Sequence, residues 1–196
     1  MDSHSNLNLC SGSASPAPPS APAASAQPAA ASTVPPPSAV PAKPAPAPAP
    51  PAPPVPGALA HLPLSFQGVD FAARGIHAEA KVAPEEVVEA ARLLDKEGFS
   101  LDTITGVDWL TEAQMEVIYD YFHPDKCLRV AVRARIPREK PEIATISAVF
   151  PGANWHERET HDFFGIVFLG HPNLEPFLLP EDATYHPLRK DFTACS

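Results

Sequence analysis

The alternation of apolar and polar residues after position 75 predicts a strand followed by a helix. Residues 76–82 read Ile-His-Ala-Glu-Ala-Lys-Val, in which every second side chain is apolar, as in a strand with one buried face. From Pro84 onward, apolar residues recur at helical spacing as far as Leu94. Gly98 is placed to end this helix, because glycine tolerates the left-handed backbone found there. The pattern therefore predicts an amphipathic helix packed on a sheet.

Three further segments predict additional strands: 99–104, 115–122 and 128–136. In the last segment, three arginines share one face and four apolar residues share the other: Arg129, Arg133 and Arg135 against Val130, Val132, Ala134 and Ile136. The arginine face is interpreted as a solvated face of the sheet rather than a binding patch. Residues 106–109 predict a turn, and residues 143–150 predict either a fifth strand or the start of a helix. This order predicts an α+β fold, with a mainly antiparallel sheet and helices on one face.

A second helix of about three turns is predicted between Asn154 and Gly165. Asn154 is expected to cap its start together with Glu157, as in a capping box, and Gly165 to end it. One stripe of this helix carries a carboxylate between two aromatic side chains: Trp155, Glu159 and Phe163. This carboxylate is either a functional group or, as we favour, half of an ion pair that is buried or at an interface.

The C-terminal stretch, residues 170–196, is predicted to be an extended arm. Four prolines prevent a long helix and interrupt strand pairing: Pro172, Pro176, Pro180 and Pro187. Six large apolar residues lie between or after them: Leu174, Phe177, Leu178, Leu179, Leu188 and Phe192. A hydrophobic arm of this kind either wraps its own domain or lies along another protein, so the pattern favours binding.

Composition divides the chain into parts of different character. Residues 1–60 hold 17 of the 27 prolines and only two charged side chains, Asp2 and Lys43. Such a Pro/Ala/Ser-rich segment buries too little apolar surface to fold, so it is predicted to be a disordered tail. Residues 61–169 are then predicted to form the α+β domain, which together with the arm carries the net charge of −9. This acidity argues against nucleic acid or an anionic membrane surface as a partner.

The sequence offers little for chemistry of its own. Cys10, Cys127 and Cys195 are far apart and form no CxxC pair, which argues against an iron–sulfur or zinc site and favours a reducing compartment. His156-Glu157 begins like a zinc protease motif, but the next histidine is His161, on a different face of the helix. A metal-dependent hydrolase that uses the C-terminal histidines is therefore only a remote alternative. His171 and His186 are interpreted as turn residues that hydrogen-bond to the backbone.

The stretch 157–172 closely resembles the signature of the respiratory complex I 30 kDa family, also known as the C-type subunits of NADH-quinone oxidoreductase: Glu157-Arg158-Glu159-x-x-Asp162-Phe163-Phe164-Gly165-Ile166-x-Phe168-x-Gly170-His171-Pro172. Two later runs, 178–182 and 186–192, resemble the C-terminal arm of that family. The same module occurs in membrane-bound nickel–iron hydrogenases of group 4. The resemblance is specific over about residues 150–192 and only compatible between 75 and 150.

The resemblance implies a cofactor-free component of an NADH:quinone oxidoreductase that couples electron transfer to proton translocation. Its partner would be the 49 kDa or D-type subunit, with iron–sulfur clusters, FMN or a nickel–iron site in other subunits, on the cytoplasmic side of the cell membrane. The residues expected at that partner come from the signature helix and the arm: Glu157, Arg158, Glu159, Asp162, Phe163, Gly165, His171, Pro172, His186, Pro187, Arg189, Lys190 and Asp191. Arg158, Arg189 and Lys190 would be the cationic anchors among them.

Two positions depart from the family pattern. Glu175 stands where the family usually has an arginine, and Tyr185 stands where a glycine usually precedes the second His-Pro pair. These departures leave open an equivalent component of an energy-converting hydrogenase. An adaptor that recruits an unrelated partner through its proline-rich tail is a further alternative.

Overall fold

The structure, a computed structural model, describes residues 53–193. The predicted disordered tail lies outside the described residues as far as position 52. Residues 53–60 are described, and they include a short 3₁₀ helix, Gly57–Leu59, whose Leu59 is buried in the core. Leu59 thus packs against the domain that is predicted to begin at His61.

Seven strands and three α-helices are described between residues 53 and 193. The strands are β1 Phe66–Gly68, β2 Ala78–Val82, β3 Ser100–Trp109, β4 Gln114–His123, β5 Leu128–Pro137, β6 Glu142–Ala144 and β7 Val167–Leu169. The helices are α1 Phe71–Arg74, α2 Val87–Lys96 and α3 Ala153–Phe164, with further 3₁₀ turns at Pro84–Glu86 and Leu110–Glu112. Gly98 has a φ of +85°, so the predicted glycine end of the helix before it is confirmed.

The main sheet has five strands in the order β1-β2-β5-β4-β3. Three of its four strand pairings are antiparallel. The fourth, between β2 and β5, is parallel, and the long connection between these two strands includes α2 and the β3–β4 hairpin. β6 and β7 form a separate parallel pair. The prediction of an α+β fold with a mainly antiparallel sheet is confirmed.

One segment prediction was wrong, and another was confirmed only in part. Residues 106–109 form no turn: they continue β3, with Gly106 opposite Val117 and Trp109 opposite Gln114. The turn comes later, where Ala113 adopts a φ of +52°. Residues 143–150 provide only the short strand β6, because the chain then turns toward α3.

One face of the sheet carries the hydrophobic core. Alternate residues of β4 and β5 point to it, such as Tyr119 and Val132, and α2 and α3 bury side chains in the same cluster. The opposite face carries the predicted arginine row, in which each arginine pairs with an acid: Arg129 with Asp102, Arg133 with Glu79 and Glu116, and Arg135 with Glu112 and Glu116. The alternation in sequence thus corresponds to one apolar and one charged face.

Gly106 determines how closely α3 approaches the sheet. A β-carbon at this position would lie 2.6 Å from the Phe164 ring, well inside van der Waals contact. We expect Gly106→Ala to lower the free energy of unfolding by about 1–3 kcal/mol, because the buried ring has to move. Chemical denaturation measures this change.

Gly152→Ala is the matched control for this substitution. A β-carbon there meets no atom within 4 Å and the φ is −63°, so we expect a change of about 0.5 kcal/mol or less. An equal loss in both variants would show that the contact with Phe164 is not the cause.

Candidate partner-docking surface

α3 begins differently from the prediction. Gly152 occupies the cap position and no side chain caps the helix, so the predicted capping box was wrong. Glu157 turns into the core instead, where Thr145 Oγ1 donates a hydrogen bond to it at 2.5 Å and the Ile146 N–H donates one at 2.8 Å. These bonds satisfy the backbone and hydroxyl donors of the loop after β6, which would otherwise be buried without partners.

Glu157 is one of two fully buried ionisable side chains where the arm leaves the domain. The Oε2 of Glu157 lies 3.7 Å from the Nε2 of His171, and both side chains are fully enclosed. Burial raises the pKa of Glu157 to about 7, although the bonds from Thr145 and Ile146 oppose this shift. Burial also lowers the pKa of His171, so this histidine is neutral at pH 7 and the contact is not an ion pair.

The stripe of Trp155, Glu159 and Phe163 faces outward. Trp155 is 55% exposed and Glu159 is exposed, whereas Phe163 is half-buried against the core. The buried glutamate of α3 is therefore Glu157 and not Glu159, which the sequence pattern had suggested. Glu159 belongs to the surface of the domain.

The first half of the arm is attached to α3 through Arg158. Its guanidinium donates hydrogen bonds to the carbonyl oxygens of Glu175 and Pro176, at 3.0 Å each. It also lies over the rings of Trp155 and Phe177, with centroids 5.4 and 5.0 Å away. A planar guanidinium suits both contacts at once, because its edge donates hydrogen bonds while its face stacks on aromatic rings.

Asp162 holds the next part of the arm. Its Oδ2 accepts hydrogen bonds from the N–H groups of Phe177, Leu178 and Leu179, at 2.8, 2.6 and 3.2 Å. Burial alone would raise the pKa of Asp162, but these three bonds lower it below its usual value. The carboxylate thus accepts three consecutive N–H groups, as an anion does in a backbone nest.

The second half of the arm attaches to the C-terminal end of α3. His186 Nδ1 bonds the Asp162 carbonyl at 2.8 Å, and Arg189 Nε bonds the Phe164 carbonyl at 2.7 Å. Gly165, with a φ of +73°, ends the helix as predicted. A β-carbon at Gly165 would overlap the side chains of Arg189 and His186, so a glycine is needed for the arm to reach the helix end.

The last described residues of the arm are tied to the sheet. Arg138 bonds Asp108 through both carboxylate oxygens, at 2.8 and 3.2 Å, and Asp191 at 2.7 Å. The N–H of Lys190 also donates to Asp108, at 2.9 Å. Burial opposes the shift, but these bonds lower the pKa of Asp108. The pair of Asp108 and Arg138 was not recognised in the sequence, because the two residues lie on different segments of the chain.

The residues predicted for partner binding are therefore brought together, most of them in contacts between the arm and its own domain. Arg158, Asp162, His186 and Arg189 bond the backbone, and the predicted backbone bonds of His171 and His186 are present. Pro172 and Pro187 each follow one of these anchored histidines. No surface contact is open to Glu157, because it is fully buried. The binding role of the whole set stays a prediction.

Holding the arm in place exposes its large apolar side chains. Six of them on α3 and the arm are between 38% and 55% exposed, and we call them the arm surface: Trp155, Phe177, Leu178, Tyr185, Leu188 and Phe192. Tyr185 stacks on Phe192 with ring centroids 5.6 Å apart, so this departure from the family pattern adds to the surface. Trp155 also contacts Phe177, with ring centroids 5.0 Å apart, and exposed apolar groups that pack on one another in this way are typical of a protein interface.

A metal site and a membrane-spanning helix are both absent from the described part of the chain. Between residues 53 and 193, no group of three or more His, Cys, Asp or Glu side chains is arranged to hold a metal ion. None of the helices described in that range has the length and apolar character to cross a membrane.

Comparison with known families gives a match over residues 80–195, to the family described as respiratory-chain NADH dehydrogenase, 30 Kd subunit. This range covers more than half of the chain, including the signature helix and most of the arm. The chain belongs to this family. The resemblance inferred from residues 157–192 is thereby confirmed, and it extends back into the sheet as far as β2.

Named relatives come from complexes with different electron donors. The C subunit of the NADH-quinone oxidoreductase of Roseiflexus sp. (strain RS-1) is 42% identical over 115 residues, 56% of this chain and 66% of the relative. The C subunit of the F(420)H(2) dehydrogenase of Methanosarcina mazei is 40% identical over 93 residues, 47% of this chain and 59% of the relative. This chain therefore spans two thirds or less of the length of these two relatives.

A solved structure with a similar fold is a chain of the membrane-bound sulfane sulfur reductase, an archaeal respiratory membrane complex. It matches with a TM-score of 0.60 and 28% identity, over 69% of this chain and 81% of that chain. The family module thus occurs in membrane-associated respiratory complexes with different overall reactions.

Glu157 should make stability depend on pH. Its raised pKa means that the folded chain binds a proton more tightly than the unfolded chain, so this stabilisation is present below about pH 4.5 and is lost as pH rises through about 7. We expect a loss on the order of 3 kcal/mol across this window, relative to Glu157→Gln, which cannot titrate. Denaturation curves of both proteins between pH 4.5 and 8 measure the difference.

The difference between the two profiles reports Glu157 together with its coupling to His171, whose Nε2 lies 3.7 Å from the Glu157 Oε2. Glu159→Gln, on the exposed side of the same helix, is the control and should reproduce the original profile. Parallel profiles for the original chain and Glu157→Gln would contradict the raised pKa.

Asp162→Asn should loosen the middle of the arm. The variant loses the charge that accepts three N–H groups and points an amide donor at them instead. We expect amide hydrogen exchange at Phe177, Leu178 and Leu179 to become about ten- to a hundredfold faster. Asp182→Asn, an exposed position on the same arm, should leave these three rates unchanged; equal rates in both variants would disprove the role of Asp162.

Proposed function

We propose that this chain is the C-type subunit of a complex I-like NADH:quinone oxidoreductase, in which electron transport is coupled to proton translocation. In this proposal the chain is a translocase component without catalytic residues of its own. Membership of the 30 kDa family and the relatives in respiratory complexes support the assignment. The proposed docking role is based on one observation: hydrogen bonds hold the arm on α3 while large apolar side chains of the arm stay exposed.

The proposed partner is the 49 kDa or D-type subunit, which would cover the arm surface. A pre-ordered arm suits this role, because less chain entropy is lost when the partner binds. Exposed side chains such as Leu178 and Leu188 would supply the apolar contact. The outward charges of Glu159 and Lys190 would set the orientation at the rim.

The redox cofactors are proposed to lie in other subunits. The spacing of the three cysteines supports this, since a cluster site needs several thiolates close together. The chain would bind the membrane only through the complex, on its cytoplasmic side. The net charge of −9 agrees with this, because it disfavours direct contact with anionic lipid.

A second assignment within the same family is the equivalent component of an energy-converting nickel–iron hydrogenase. This assignment is supported by relatives of this chain that occur in complexes with different reactions, such as the F(420)H(2) dehydrogenase. The module is thus compatible with more than one electron donor. The arm would dock on the nickel–iron subunit in the same way.

Affinity purification of the full chain from mild-detergent membrane extracts tests the proposal. We expect 49 kDa-type and NADH-side subunits to co-purify with it. A nickel–iron subunit without an NADH module would select the hydrogenase assignment. Recovery of the chain alone would overturn both.

A substitution in the arm surface makes the same experiment specific. Leu178→Asp places a charge at the proposed interface, and we expect recovery of the 49 kDa-type subunit to fall about tenfold or more. Leu110→Asp is the matched control, since Leu110 is exposed to a similar degree, 45% against 52%, but lies at the β3–β4 turn. Equal losses in the two variants would contradict docking through the arm.

A further inference from the structure

The outer edge of β3 is a long strand edge that the main sheet leaves open. β3 is the last strand in the sheet order and pairs, within residues 53–193, with β4 alone. It is ten residues long. A free edge presents unpaired N–H and C=O groups that can accept another strand, and proteins usually cover or interrupt such an edge.

Parts of this edge are covered by the chain itself. Near one end, the arm lies over Asp108 through the N–H of Lys190. Further along, the Thr160 hydroxyl of α3 lies 3.5 Å from the Ile104 carbonyl oxygen, so α3 covers this carbonyl. Between residues 103–106 and α3 there remains an open groove of about 260 Å³.

The groove has a specific chemistry. Phe163, Phe164 and Leu188 give it an apolar wall, and Leu188 is 51% exposed. The backbone of 103–106 forms the other wall. Its charged lining residue is Glu159, which is exposed and forms no ion pair with any described residue. An extended chain with apolar side chains and one cation fits these walls.

We infer that an extended segment of a neighbouring subunit lies in this groove. Its main chain pairs with those backbone groups of residues 103–106 that α3 leaves uncovered, an apolar side chain packs against Phe163 and Leu188, and a lysine or arginine pairs with Glu159. This mode of binding is strand addition, in which the backbone supplies affinity and side-chain pockets supply specificity. The inference rests on the proposed function, because the segment belongs to another protein of the same complex.

Charge argues against a second copy of this chain as the occupant. The chain carries a net charge of −9, and two copies paired through this edge would bring like charges together around Glu159. Like-charge contacts oppose association, whereas a basic segment is attracted to the same groove.

Photo-crosslinking in the assembled complex tests this inference. A photoreactive phenylalanine replaces Thr103 at the groove, Leu178 on the arm surface, or Gln67 on the opposite sheet edge, each in the full chain. We expect position 103, and not position 67, to capture one peptide of a co-purifying subunit that contains apolar residues and a lysine or arginine. Glu159→Lys should then lower recovery of that subunit about five- to tenfold, and Glu159→Gln by less.

Reversing the cation of the captured peptide to glutamate should restore recovery with Glu159→Lys. Capture of a second copy, or of another part of the same chain, at position 103 would overturn the inference. So would capture at position 178 with none at 103, although docking through the arm would then stand. Absence of capture at both positions would count against the proposed function as well.

Discussion

The arm depends on side chains of α3 to satisfy its backbone. Its prolines prevent both a helix and a regular strand, so the N–H and C=O groups between them have no secondary-structure partners. Asp162 accepts three of these N–H groups, and Arg158 donates to two of the carbonyl oxygens. The arm also satisfies a group of α3, since Arg189 donates a hydrogen bond to the Phe164 carbonyl oxygen at the C-terminal end of the helix. These bonds give an irregular segment a defined path.

This arrangement explains why two carboxylates of the family signature point inward. Charges on a docking surface could be expected to face the partner, yet Glu157 and Asp162 are buried and bond groups of their own chain. In the proposed docking role their effect is indirect, because they determine which side chains the arm presents. Trp155, Phe177 and Leu188 remain exposed as a consequence. Polar groups specify the path of the arm, and the large apolar groups remain at the surface.

The close approach of α3 to the sheet links the arm to the rest of the fold. Gly106 lets the Phe164 ring lie against β3, and Gly165 lets His186 and Arg189 reach the end of the helix. At both positions a side chain would occupy space that another group needs. The helix α3, the arm and the edge of β3 therefore form one connected region. The groove beside Glu159 is the open space between α3 and residues 103–106 of β3.

The sequence by itself determined the local elements, the α+β class and the family, because periodicity, glycine ends and a contiguous motif are properties of neighbouring residues. It also indicated an apolar, proline-spaced arm. Only the tertiary structure decided that Glu157 rather than Glu159 is the buried glutamate, and that Gly106–Trp109 continues β3. It alone joined Asp108 to Arg138 and, through it, to Asp191. These outcomes depend on packing between segments that are distant in the chain. A local sequence pattern does not determine which of two polar faces of a helix is buried in the core.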